Sequence, residues 1–119
     1  MLCLGLVEEP RAVEHLSEIL RVDGLDGCFI GPGDMALVLG REYYGGPAMH
    51  PDARRLVDRA LELTLAAGKP AMLPAATGAE ARALAGRGVR LITMNFGALA
   101  RRACEEYLAA FRGSGAEPR

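Results

Sequence analysis

The chain has 119 residues, of which 50% are hydrophobic and 24% charged, enough for one buried core and small for two domains. Its 14 basic and 15 acidic residues give a net charge of -1, so there is neither a broad basic surface for nucleic acid nor an acidic tail. We therefore expect a single globular domain and exclude nucleic acid as a partner.

The cysteines and the N-terminus indicate the compartment. Cys3, Cys28 and Cys104 are far apart and form no CxxC pair, so neither a disulfide framework nor a zinc knuckle is predicted. The opening MLCLGLVEEP lacks the basic start and long apolar core of a signal peptide. No stretch approaches the roughly 20 apolar residues of a membrane span. We expect a cytoplasmic protein with reduced thiols and no membrane partner.

The first third of the chain alternates between two kinds of pattern. Residues 2–7 are an apolar run without helical periodicity, which predicts a buried strand. Apolar residues then recur at helical spacing and predict a helix over residues 10–21. The run GCFIG, residues 27–31, predicts a second buried strand.

The rest of the chain repeats this alternation of strands and helices. The predicted elements are a helix over 50–68, a strand over 69–73, a helix over 77–86, a strand over 89–95 and a helix over 98–112. We expect the last helix to bury Leu99, Ala103, Tyr107 and Phe111, which lie on one face. The tail, residues 113–119, is expected to be disordered.

This order predicts the α/β fold class. Four strand-helix units in succession favour parallel strands joined by right-handed helical crossovers. Two architectures fit: a small open sheet with helices on both faces, or half of an eight-stranded barrel, whose usual length is about 250 residues. The pattern alone leaves both open.

Acidic residues follow the first two predicted strands. Glu8 and Glu9 end the first strand, and Asp34 follows the second within FIGPGDM. Because the carboxyl ends of neighbouring parallel strands meet at one edge, a carboxylate from each could hold a divalent cation such as Mg²⁺ or Mn²⁺. Glycines beside Asp34 would let backbone N–H groups approach a substrate carboxylate. The alternative is that Asp34 caps a short helix over 35–39 and the glutamates are solvated.

Four segments carry a family resemblance: LVEE, EILRVDGLDGCFIGPGDMALVLG, HPDARRLVDRALELTLAAGKPAM and GRGVRLITM. Together they resemble the HpcH/HpaI aldolase and citrate lyase family of class II, metal-dependent pyruvate aldolases. The likeness is greatest to hydroxy-oxo-acid aldolases, such as 4-hydroxy-2-oxoheptanedioate and 2-dehydro-3-deoxyglucarate aldolase. Members are complete (β/α)8 barrels, so the resemblance implies that residues 1–112 are four βα units forming the second half of such a barrel.

The resemblance also implies a site. The spacing from Glu8 to Asp34 agrees with the family pattern and selects Glu8 over Glu9 as a metal ligand, for Mg²⁺ or Mn²⁺ with Co²⁺ as an alternative. Pyruvate would bind against the G-P-x-D segment, which here is Gly31, Pro32, Gly33 and Asp34. The implied reaction is aldol cleavage or condensation of a hydroxy-oxo acid, giving pyruvate and an aldehyde through a metal-stabilised enolate. The family's general-base histidine and substrate-binding arginine lie in the absent half, so no residue is assigned to these roles.

Other functions remain open at this point. Lys69, the only lysine, opens the third predicted strand at the opposite end of the sheet, which disfavours a Schiff-base mechanism. A non-catalytic, truncated half barrel that associates with itself is one alternative, and a lyase acting on a CoA thioester such as citryl- or malyl-CoA is another. Bare parallel strand edges are costly, so we expect a homo-oligomer in any of these cases.

Overall fold

The computed structural model describes residues 1–43 and 49–113, in which strands and helices alternate as predicted. The elements are β1 (Leu4–Val7), α1 (Pro10–Glu14), α2 (Leu16–Ile19), β2 (Gly27–Ile30), α3 (Pro32–Leu39), a 3-10 turn (Arg41–Tyr43), α4 (Pro51–Ala66), β3 (Ala71–Pro74), α5 (Gly78–Gly86), β4 (Leu91–Thr93) and α6 (Phe96–Arg112).

The four strands form one parallel sheet in the order β1-β2-β3-β4. Each strand pairs with the next one in the sequence, so the chain crosses the sheet in a single direction. Right-handed crossovers that all advance in one direction leave their helices on one face of the sheet. Of the two architectures left open by the sequence, this order is that of a half barrel, because a doubly wound sheet reverses its strand order.

One face of the sheet is buried under the helices. Its strand residues Val7, Cys28, Ile30, Ala71 and Leu73 pack with apolar residues of the helices, and α4 contacts α1, α2 and α3. Burial raises the pKa of the Cys28 thiol above its usual range, because desolvation disfavours the thiolate. This helix-covered side of the sheet is the hydrophobic core.

The opposite face carries no helix among the described residues and presents a continuous apolar row. Leu6 pairs with Phe29, Phe29 with Met72, and Met72 with Leu91, so the row crosses all four strands. Side chains alternate along a strand, which directs these four away from the core residues that adjoin them in sequence. None of the four is buried, and Leu6 is 54% exposed. We call these residues the helix-free face.

Two helix predictions were wrong in detail. The first helix is interrupted at His15, whose backbone (φ -95°, ψ 6°) separates α1 from α2. The last helix forms, but it has no buried residue. The positions expected inside, Leu99, Ala103, Tyr107 and Phe111, are exposed because no described element covers the apolar side of α6.

Three further predictions concern the C-terminal tail, the extent of the domain and membrane-spanning helices. The helix α6 ends at Arg112, and residues 114–119, most of the segment predicted to be disordered, lie outside the described residues. Treating residues 1–112 as one partial barrel domain stays a prediction. No helix within residues 1–43 and 49–113 is both long enough and apolar enough to span a membrane.

Candidate functional site

The candidate site lies where the first two strands end. Glu8 follows β1 and Gly31 follows β2, and these strands are paired in register through Val7 and Ile30. The amide of Gly31 donates a hydrogen bond of 2.9 Å to the carbonyl of Val7. This bond extends the pairing of β1 and β2 by one residue and holds the two loops beside each other.

The Glu8 and Asp34 carboxylates converge on Gly31. A Cβ atom added to Gly31 would lie 3.5 Å from Glu8 Oε2, 3.5 Å from Asp34 Oδ2 and 3.1 Å from Glu8 Cβ. Both oxygens thus lie 3.5 Å from the same point, so the distance between them is no more than twice that value. Gly31 leaves open the space between them that any other side chain would occupy. The structure thus brings together Glu8, Gly31 and Asp34, three of the residues expected at the site.

The first turn of α3 supplies the other predicted residues. Gly31 is the N-cap and Pro32 the first helical residue, where a missing N–H costs nothing. Met35 N donates to the Gly31 carbonyl at 3.1 Å, whereas the N–H groups of Gly33 and Asp34 have no backbone acceptor within the described part of the chain. Since α3 begins at Pro32, Asp34 lies in its first turn and is not the cap of a helix over 35–39. An acidic side chain there is stabilised by the helix dipole.

The donor atoms of this cluster fit a hard divalent cation. Among the side chains that the structure describes, a set that does not include Arg41, neither Glu8 nor Asp34 has an ion-pair partner, and neither accepts a hydrogen bond. Two carboxylates are ligands of the kind that Mg²⁺ or Mn²⁺ takes, with waters and substrate oxygens completing the shell. The same residues contain no group of three acidic, histidine or cysteine side chains arranged for a metal. The assignment of Glu8 and Asp34 as ligands stays a prediction.

Other candidate residues have structural roles. Glu9 is exposed at the start of α1, as expected for the solvated member of the Glu8–Glu9 pair. His50 caps α4, because its Nδ1 accepts a hydrogen bond of 3.2 Å from Asp52 N. Lys69 Nζ donates to the carbonyl of Leu25, a residue that precedes β2 and so lies at the amino-terminal end of the sheet. The lysine is thus at the end opposite to the carboxylates, which counts against a Schiff-base mechanism.

A cleft beside Pro32 was not anticipated from the sequence. It runs from Pro32 and the end of β3 along the gap between α4 and α5, and its lining includes Pro32, Met49, Arg54, Pro74 and Glu80. Arg54 and Glu80 lie near the starts of α4 and α5. Helix starts in βα units lie at the carboxyl edge of the sheet, so that position was the available signal for both residues.

The fold and sequence are similar to those of known aldolases. The chain is 37% identical, over 98% of its length, to a 2-keto-3-deoxy-L-rhamnonate aldolase of Klebsiella pneumoniae. It is 35% identical, over 95% of its length, to a hydroxypyruvate/pyruvate aldolase of Delftia acidovorans. Among solved structures, an HpcH/HpaI aldolase/citrate lyase family protein of Burkholderia cenocepacia matches 95% of the chain with a TM-score of 0.80 and 30% identity. Along nearly its whole length, the chain is therefore similar to members of this family.

The chain spans less than half the length of these three proteins. It covers 43% of the Klebsiella protein, 42% of the Delftia protein and 43% of the Burkholderia structure. No protein-family model matches the chain. The predicted resemblance to this family and the α/β half-barrel fold are confirmed, and the likeness runs through nearly the whole of this chain.

Proposed function

We propose that this chain binds a divalent cation, Mg²⁺ or Mn²⁺, through Glu8 and Asp34, and a 2-oxo acid such as pyruvate against residues 31–34. The observation that carries this proposal is the convergence of the two carboxylates on the empty side of Gly31, within 3.5 Å of one point. Two carboxylates that face one space repel each other, and a cation between them would offset that repulsion.

The chain's own residues would orient the substrate. When bound, the cation supplies a Lewis acid that offsets the negative charge developing on the ketone oxygen of the 2-oxo acid. The N–H groups of Gly33 and Asp34 point out of the first turn of α3 and can donate to the substrate carboxylate. Gly31 admits the substrate because it has no side chain, and Pro32 fixes the start of the helix.

We propose aldol cleavage or condensation of a hydroxy-oxo acid, giving pyruvate and an aldehyde, as the reaction in which this site takes part. Support comes from relatives that are named 2-keto-3-deoxy-L-rhamnonate aldolase and hydroxypyruvate/pyruvate aldolase. Glu8 and Asp34 would serve as ligands, so proton transfer requires another group. No residue of this chain is assigned that role.

A binding half barrel without turnover is the second candidate. It is favoured by the positions of the groups that could move a proton or form a Schiff base. His50 is occupied in capping α4, His15 is exposed at the junction of α1 and α2, and Lys69 lies at the opposite end of the sheet. In this case the chain would bind the cation and the 2-oxo acid but would not cleave a hydroxy-oxo acid alone.

We also propose a cytoplasmic, oligomeric protein. The three cysteines are free thiols, which is typical of a reducing compartment. The two outer strands of the sheet and the apolar side of α6 are without partners within the described chain, and bare edges and apolar patches favour association.

Isothermal titration of Mg²⁺ and of Mn²⁺ into metal-free protein, with and without oxalate as a stable 2-oxo-acid analogue, tests the site. We expect saturable binding that oxalate strengthens. Glu8→Gln and Asp34→Asn should each weaken binding of the cation by about 10- to 100-fold or more, since each removes a direct ligand.

Glu9→Gln is the matched control. It removes the same negative charge, but from the exposed side chain at the neighbouring position. Equal weakening by Glu9→Gln and Glu8→Gln would mean that the cation responds to overall charge and is not held at this site. Binding without turnover of hydroxy-oxo acids would support the second candidate function.

A further inference from the structure

We infer that a second copy of this chain docks on the helix-free face, so that two half barrels close into one eight-stranded barrel. The proposed interface joins β4 of each copy to β1 of the other and brings the two rows of Leu6, Phe29, Met72 and Leu91 into a shared interior. The symmetry is a twofold axis along the barrel. This inference does not rest on the metal or the substrate proposed above.

The two border strands of the sheet, β1 and β4, argue for this occupant. Each pairs on one side only within the described chain, and both belong to a wholly parallel sheet. A twofold axis parallel to the strands preserves strand direction, so a second copy offers a parallel β4 edge to β1 and a parallel β1 edge to β4. One interface of this kind satisfies both edges at once. A helix or peptide lying on the face would leave both edges bare.

The composition of the helix-free face also fits a second copy. Residues 4, 6, 27, 29, 72, 74, 91 and 93 point to this side of the strands by alternation and include no charged side chain. Two identical faces can therefore meet without like-charge repulsion. The row that they would bury is apolar throughout, and in eight-stranded barrels inward side chains fill the interior completely.

The number of strands agrees with this closure. The sheet has four strands, and eight close a barrel whose interior is just filled by side chains. Two copies of the sheet supply those eight strands.

Light scattering after size-exclusion chromatography, on the full chain without metal, tests the mass. We expect a particle of two chains of 12.6 kDa. Leu6→Glu should raise the dimer dissociation constant by about a hundredfold or more, because the symmetric interface would then bury two unpaired charges. Val22→Glu is the matched control, since Val22 is 58% exposed and lies in the loop after α2, away from the helix-free face.

Phe111→Glu separates this interface from association through α6, where Phe111 is 80% exposed. We expect this variant to remain dimeric. Hydrogen exchange of the wild-type chain gives a readout that needs no variant: amides of β1 and β4 should be protected, and the protection should fall on dilution. A monomeric wild type, a folded Leu6→Glu variant that stays dimeric, a dimer lost in Phe111→Glu, or unprotected border strands would each overturn the inference.

Discussion

At the scale of single residues, Gly31 is important for the volume it leaves empty. Its backbone (φ -98°, ψ 88°) is open to residues other than glycine, so conformation alone does not require a glycine here. The neighbours restrict it instead, because a Cβ would lie only 3.1 Å from Glu8 Cβ and would also touch an oxygen of each carboxylate, at 3.5 Å. The residue thus acts on the site by allowing two carboxylates to share one space.

Gly31→Ala should weaken binding of Mg²⁺ or Mn²⁺ by about tenfold or more, equivalent to about 1.4 kcal/mol. The added methyl group would occupy the position between the two carboxylates and lie 3.1 Å from Glu8 Cβ, closer than ordinary contact. Isothermal titration gives the change in affinity, and thermal unfolding in EDTA gives the change in stability of the metal-free chain.

Gly78→Ala is the control for this substitution, because a Cβ at Gly78, the first residue of α5, has no neighbour within 4 Å. It should leave the affinity for the cation unchanged. If Gly31→Ala binds the cation as tightly as Gly78→Ala, the carboxylates are not used as ligands in the arrangement described above.

At the scale of elements, three helices begin with a side-chain cap. Asp52 N donates to His50 Nδ1 at α4, Glu80 N donates to Thr77 Oγ1 at α5, and Ala98 N donates to Asn95 Oδ1 at α6. At α5 the arrangement is reciprocal, because Glu80 Oε2 also accepts from Ala76 N at 2.8 Å. These caps satisfy N–H groups that the helices themselves cannot satisfy.

Thr77→Ala should lower the free energy of unfolding by about 1 kcal/mol, because it removes the oxygen that accepts from Glu80 N. Urea unfolding at a fixed protein concentration measures this loss. Thr77→Ser keeps the oxygen and should retain most of the stability. If Thr77→Ala and Thr77→Ser lose the same stability, the loss comes from the methyl group that both variants lack, which would contradict the capping role.

The sequence predicts local elements better than their surroundings. The four strands and the helix starts near His50 and Thr77 follow from short-range pattern, and the structure has them. The break at His15 does not, because the apolar spacing continues across it. The exposure of Tyr107 and Phe111 could not be predicted either, since periodicity identifies an apolar side of a helix but not what covers it.

The candidate site shows the same division. The sequence could predict that acidic residues at the ends of β1 and β2 lie close together, because the carboxyl ends of neighbouring parallel strands share an edge of the sheet. The helix start at Pro32, which puts Asp34 in the first turn of α3, could not be distinguished from a later start by sequence alone. The cleft that includes Arg54 and Glu80 depends on how α4 and α5 meet beside Pro32 and β3, which no short segment encodes.

At the scale of the whole molecule, a bound cation should be linked to global stability. If Glu8 and Asp34 hold the cation only in the folded chain, a cation concentration of 100 times the dissociation constant adds about 2.7 kcal/mol to the free energy of unfolding. Thermal unfolding should therefore shift upward with Mg²⁺ and return on addition of EDTA. The unfolding temperature of Asp34→Asn should respond neither to Mg²⁺ nor to EDTA. An equal shift in wild type and variant would indicate that the cation binds elsewhere.

The position of β1 at the border of the sheet has a consequence for how the protein would be controlled. Glu8 follows a border strand, so in the proposed dimer the neighbour on its outer side is β4 of the second copy, which also brings any further wall of the site. A site completed by association has an occupancy that depends on encounter between chains. Its specific activity would then fall on dilution, with a second-order dependence on protein concentration below the dissociation constant. Expression level would act as a threshold for function, a property that a barrel folded from one chain does not have.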